Sequence, residues 1–530
     1  MSAPAPAGTI RIRGGAIWDP AHGRRGEIGD LCIRDGRVVA SLPKTSPVFD
    51  ARGLLVLPGG VDLHSHVAGP SLRVARLLCP EAAGGPCLPS TEQTGRRYAA
   101  MGYTTVFEAA VAPVGARAAH HELDALPIVD KGLYVLAGNN AIALDLARRG
   151  RQEELRACMA WLVESARAYA VKLVNPGGVE AWKEGRDAGD QAPLLASLVR
   201  AIESLALPHP AHVHLPGLGA PGNASLTLAL LDALGTARVH LTHLQFHSYG
   251  GRTPAGLRSR APEIAAWLNA HERVTADVGQ VVFGPAVTLS ADAPAQHRLH
   301  RLTGRKWANL DVEGETGCGV VPHEYRSDRL VGAVQWAAGL ELMLLVDDPW
   351  RIALTTDHPN GGPFTAYPTI IRMLMERGFR DALLRRAPEG LARRTVLSGL
   401  TREYSLEEIV IVTRAGPARA LGLTNKGHLG PGADGDVALH RDAGDPESTF
   451  ATPVAVFKDG ILVAREGEIV ARPAGRTFHA APRRDGTAAA ARFAAGLPEA
   501  FAASHSVPLE DFALEPGALA RPESVAAGAA

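Results

Sequence analysis

The chain has 530 residues, 46% of them hydrophobic and 21% charged, enough to bury one large core with an accessory domain beside it. Lys+Arg and Asp+Glu both number 55, so the formal net charge is zero and no global attraction to nucleic acid or an acidic membrane is implied. Cys32, Cys79, Cys87, Cys158 and Cys318 are odd in number, scattered and form no Cys-x-x-Cys, which favours reduced thiols in the cytoplasm. The first eight residues lack a signal-peptide pattern and no uncharged run approaches the ~20 residues of a membrane span, so a cytoplasmic chain without a membrane partner is expected.

Residues 9–57 carry short strand-like runs, Thr9–Arg13, Asp30–Arg34 and Arg37–Ser41, broken by Gly-Gly, Asp-Pro and Asp-Gly turns. A matching set appears at Asp436–His440, Pro453–Val463 and Glu468–Ala471. Neither set buries much alone, so the predicted packing joins residues 1–57 and 406–475 in one composite β-sandwich. Between them, residues 58–405 alternate apolar strands with helical stretches in the α/β manner of an enlarged (β/α)₈ barrel. The predicted barrel strands are Val61–His66, Thr104–Ala109, Gly132–Ala137, Ala170–Val174, Ala211–His214, Arg238–His243, Arg273–Val278 and Ile352–Thr356. Two long connections, 67–95 and 279–335, fall on the face where barrel enzymes bind substrates. From 476 to 530 the Pro/Ala-rich extension shows no long amphipathic pattern, and the expectation is an extended or disordered tail.

Chemistry concentrates at the predicted strand ends. In Val61-Asp-Leu-His-Ser-His66, His64 and His66 alternate along a strand and reach the same face, which suits one metal ion. Lys172 sits in an apolar strand where burial favours its neutral amine; it either snorkels to the rim as a cation or takes up carbon dioxide as a carbamate. His212 and His214 repeat the alternation, with His214 nearer the strand tip. His243 competes with His240 and His247, and Asp357 precedes a His-Pro turn.

Taken together, Val61-Asp-Leu-His-Ser-His-Val-Ala-Gly69, Val171-Lys-Leu-Val-Asn-Pro-Gly-Gly178, Thr242-His-Leu-Gln-Phe-His-Ser-Tyr-Gly250 and Thr356-Asp-His-Pro-Asn-Gly-Gly-Pro-Phe364 resemble the amidohydrolase superfamily, and within it the family formed by the A subunits of formylmethanofuran dehydrogenase. The resemblance runs to about residue 475. It implies a TIM barrel with the composite β-sandwich, and a metal set of His64, His66, Lys172, His214, His243 and Asp357. Two divalent ions, of which zinc is the expected one, are bridged by carboxylated Lys172. Asp357 doubles as the proton carrier, His120 is a candidate for polarising the substrate carbonyl, and His247 lines the mouth. The implied reaction is hydrolysis of an N-formyl amide on a methanofuran-type carrier, within a formyltransferase/hydrolase complex of several subunits. Arg298, Arg301, Arg305 and Lys306, in the second long connection, are candidate readers of a carboxylate-rich carrier tail. The alternative readings are a cyclic-amide hydrolase and a scaffold subunit without catalytic activity.

Overall fold

The structure is a computed structural model that describes residues 8–312, 314–315, 318–483 and 486–527; residues 1–7, part of the segment that lacks a signal-peptide pattern, lie outside it. The two chain ends share one nine-stranded sheet. Its seam is Leu54–Pro58 paired antiparallel with Val437–Arg441, so a strand entering the barrel is hydrogen-bonded to one reached almost 380 residues later. Ile12, Ile17, Val56, Val437, Leu439 and Phe457 form its core, the apolar side chains of both ends closing over one another.

The barrel strands are Gly60–Ser65, Tyr103–Val111, Asp130–Leu136, Ala170–Val174, Ala211–His214, Val239–Leu241, Val274–Asp277 and Ile352–Ala353, paired parallel in chain order. Each predicted strand overlaps an observed one, and the reason is physical: a parallel strand covered on both faces must be apolar along most of its length. A bridge between Ser65 and His358 joins the first strand to the segment just past the last, with the His66 amide donating to the His358 carbonyl at 2.7 Å. Among the described residues no helix is long and apolar enough to cross a membrane.

The two long connections pack together above the strand ends. Gly284–Ser290 pairs antiparallel with Gly319–Tyr325, and helix Pro70–Leu78 lays Leu72 and Ala75 on Leu289 and Val320. This wall positions the site.

The tail differs from the expectation of disorder. Thr477–Ala481 adds to the start of the third barrel strand at Lys131 and Gly132 and pairs parallel with Pro522–Ala526. Buried Phe478 clusters with Phe107, Tyr134 and Tyr169 under the barrel. Helix Ala488–Ala502 follows, capped by the Thr487 hydroxyl, and sets Phe493 and Phe501 against Trp161 of the helix Gln152–Ser165. The extension folds because the barrel supplies partners that it lacks locally. A buried ionic cluster adjoins it: Lys426 Nζ lies 2.5 Å from Asp130 and 2.5 Å from Asp436, and Arg476 lies 2.7 Å from Asp130.

Candidate metal centre

The parallel register sets the ligands side by side, since His212 is opposite both Lys172 and His240, and His214 is opposite Val174. His64 and His66 leave the first strand for the mouth of the barrel. His243 and Asp357 stand just past their strands with φ of 35° and 48°, a left-handed conformation that costs a non-glycine residue ~1–3 kcal/mol and is found where function demands it. Gly279 permits the approach, because a Cβ there would meet the Cβ of His243 at 2.4 Å.

His64 Nε2 is 3.0 Å from Asp357 Oδ1 and 3.2 Å from Lys172 Nζ. His66 Nε2 is 3.4 Å from the same Asp357 oxygen. Among the groups of donor atoms that lie within 4.8 Å of one another, two at the strand ends share His243, which can serve only one ion at a time: His64, His243 and Asp357, and His214, His243 and His247. All five side chains, Lys172 and His66 are buried. The His243 Nδ1 and both ring nitrogens of His247 have no hydrogen-bond partner. Buried nitrogens without partners are rare in folded proteins, and imidazole donors converging with a carboxylate fit a divalent ion such as zinc.

Three acidic residues that the sequence does not single out orient the imidazoles. Asp277 Oδ2 lies 2.8 Å from His64 Nδ1, Glu108 Oε1 lies 3.0 Å from His66 Nδ1, and Asp292 Oδ2 lies 3.2 Å from His214 Nε2. A carboxylate on one ring nitrogen fixes the tautomer and leaves the opposite nitrogen as donor. Glu108 also accepts from the Val67 and Ala68 amides at 2.6 and 2.9 Å, which ties down the chain beyond His66. The signal available in the sequence is an acidic residue inside an apolar run, as in Thr105-Val-Phe-Glu-Ala109. His212 and His240 are also bonded to the site: His212 Nε2 is 3.2 Å from His64 Nδ1, and His240 Nε2 is 3.2 Å from Asp277 Oδ2.

Burial drives the Lys172 amine down to about 8, against the opposing charges of Asp357, Asp277 and Glu108. Burial also lowers His66, but the Glu108 carboxylate and Asp357 outweigh it and lift the imidazole to about 9. Burial holds His214, His243 and His247 below the usual imidazole range, so these rings are neutral, whereas His66 must give up its proton to bind an ion.

A cleft of about 850 Å³, counting its open mouth, stands over Lys172, His214, His243 and Asp357, with Leu218, Phe246 and Leu299 on its apolar side. Two expectations change here. The structure does not bring His120 to the site: its helix, Ala116–Asp124, lies outside the barrel, and the ring Nε2 is 3.0 Å from the Ala166 carbonyl. His247, expected only at the mouth, reaches ligand distance. Most of the basic residues of the second connection are engaged within the chain, for Arg298 donates to the Leu218 carbonyl, Arg305 lies 3.8 Å from Glu324 and Lys306 lies 3.1 Å from Glu81.

The model of the Amidohydrolase family matches residues 47–470, which spans the barrel and most of the nine-stranded sheet. The chain belongs to that family. It is 40% identical over 511 residues to Protein FwdA of Methanocaldococcus jannaschii, covering 88% of this chain and 90% of that one. The A subunit of the formyltransferase/hydrolase complex Fhc of Methylorubrum extorquens is likewise 40% identical, over 501 residues, which cover 88% of this chain and 90% of that one. In shape, the chain matches one from the formyltransferase/hydrolase complex FhcABCD of that organism, solved with methylofuran, at a TM-score of 0.92 and 38% identity over 98% of this chain and 100% of that one. A zinc-containing N-acyl-D-glutamate deacylase from Bordetella bronchiseptica shares the fold, with a TM-score of 0.53 and 17% identity over 88% of this chain and 98% of that one. Family membership supports a hydrolase, and the donor set is that of a divalent-metal protein.

Proposed function

We propose that the chain is the A subunit of a formyltransferase/hydrolase complex and hydrolyses the N-formyl amide of a methanofuran-type carrier to formate and the free amine. The observation that carries the reading is the end-to-end likeness, in sequence and shape, to the A subunit of such a complex. The site is compatible with it: His64, His66, His214, His243, Asp357 and Lys172, once carboxylated, would hold two zinc ions. When bound, divalent ions supply Lewis acidity toward the formyl oxygen and acidify water.

The chain's own residues do the rest. Asp277, Glu108 and Asp292 hold three imidazoles in orientation, so the ligands need no rearrangement during turnover. Leu218, Phe246 and Leu299 keep bulk water off one side of the substrate. Asp357 stands within reach of two imidazoles at the strand end and accepts one proton of the attacking water, whose oxygen bonds to the formyl carbon. The same carboxyl returns that proton to the nitrogen as the carbon–nitrogen bond breaks. Burial raises the charged carboxylate's cost, yet the His64 imidazole and the contacts to His64 and His66 outweigh it and hold Asp357 well below the usual carboxylate range, so it is present as base.

The test is formate release from N-formylated carrier and from N-formyl furfurylamine by the purified complex loaded with zinc. Formate is expected from both, and Asp357→Asn should retain metal while lowering turnover by at least ~10²-fold. No formate from either substrate, or preferential opening of a cyclic amide, would overturn the substrate assignment.

A further inference from the structure

His247 sits four residues beyond His243, at the end of the turn Leu244–His247 that follows the sixth barrel strand. The tight turn folds the chain back so that two imidazoles separated by a short loop face one point. Their rings lie 5.4 Å apart, and each also packs edge-on against His214, at 5.4 Å from His247 and 4.7 Å from His243. One nitrogen from each of the three lies within 4.8 Å of the others. The side chain is fully enclosed, at 1% exposure, and neither of its nitrogens finds a donor or acceptor among the described residues.

A histidine of this kind has three possible occupations. A core histidine rests on a carbonyl or carboxylate, as His214 does on Asp292, and His247 has neither. A substrate-facing histidine lines the open cleft, and His247 is not among the side chains that do, whereas His214 and His243 are. What is left is a bound ion between the three rings, which gives each a partner.

We infer that His247 completes a three-imidazole metal position with His214 and His243, next to a position that takes His64, His66 and Asp357. The inference rests on the binuclear reading above and deepens it. The two positions then differ in charge. One adds the Asp357 carboxylate to the Lys172 carbamate that both would share, and the other adds only neutral imidazoles, so an ion there keeps more of its positive charge for an anionic ligand or product such as a carboxylate.

The experiment uses the full chain in its complex, stripped with chelator and titrated with zinc chloride, with bound metal measured after gel filtration. Wild type is expected to take two equivalents. His247→Ala, and His247→Gln as a variant that keeps the polar volume, should each retain one tight equivalent and bind the second at least ~10-fold more weakly, the lower bound for disturbing a metal position. Cobalt substitution adds a readout independent of turnover, since the visible absorption of the second equivalent should change and that of the first should not. If both variants bind two equivalents with unchanged affinity and spectrum, His247 is not a ligand and the inference falls. If the wild type binds no zinc or cobalt at all, the binuclear reading falls with it. Circular dichroism of the variants identifies loss of fold, and the Gln variant decides the matter where Ala unfolds.

Discussion

Lys172 shows how a residue's burial sets its chemistry. An ammonium at 2% exposure in an apolar strand loses hydration that the distant carboxylates only partly restore, and the amine is driven down to about 8. With its pKa at about 8 a far larger fraction of this amine is neutral than in an ordinary lysine, and that fraction, 3.2 Å from the His64 imidazole, is the nucleophile toward carbon dioxide. Lys172→Ala should therefore fall from two bound metal equivalents to one or fewer, the loss arising at the His64 position, and short carboxylic acids with bicarbonate should restore part of it. Two equivalents retained without added acid would remove Lys172 from the centre. The residues legible from the sequence are those that differ visibly from an apolar strand: a paired His64 and His66, a lysine, an aspartate before His-Pro. Asp277, Asp292 and Glu108 escape because an acidic residue reads as a turn or a surface position until its histidine partner, between 42 and 213 residues away, is known. His120 is misplaced for the complementary reason, since the face that a short helix turns to its neighbours depends on packing rather than on residue type.

At the scale of elements, strands buried on both faces announce themselves as continuous apolar runs, and all eight barrel strands are legible on that ground. The added strand Thr477–Ala481 is not. It is five residues long, carries one large apolar side chain and pairs with Lys131 and Gly132, some 346 residues earlier, so no local pattern could reveal its partner. Phe478 nevertheless closes the barrel floor, its ring centroid 6.2 Å from that of Phe107 and 6.4 Å from that of Tyr169. Phe478→Ala leaves a cavity there, and the expected cost is ~3–5 kcal/mol, the range for a fully buried phenylalanine. Urea unfolding checks this directly. A cost below ~1 kcal/mol, well under that range, would mean that the extension decorates the barrel without stabilising it. The same variant should keep its metal when folded, because the floor and the mouth lie at opposite strand ends.

For the whole molecule, zero net charge hides an uneven arrangement, in that twelve of the twenty histidines are buried. Those near the candidate metal centre would answer to an ion bound there, so the acid response of the fold itself is best read at His440, in the composite sheet. Its ring is fully buried, with Nδ1 2.9 Å from the Thr449 carbonyl, and burial together with the Arg414 charge lowers it from 6.5 to about 3. The folded protein thus holds this ring neutral while the unfolded chain protonates it below about 6.5. Acid then favours the unfolded state: the stabilisation is complete above 6.5 and is lost progressively as pH falls toward about 3. Between about pH 7.5 and pH 5.0 this one ring should remove about 2 kcal/mol, at ~1.4 kcal/mol for each unit below 6.5. His440→Gln keeps a donor for the Thr449 carbonyl and has no group to protonate. Urea midpoints measured at both pH values should therefore fall further in the wild type than in the variant, whatever the variant's stability at neutral pH. Parallel shifts in the two proteins would show that the imidazole is solvated or paired in the folded state, and would transfer the acid lability to the other buried histidines.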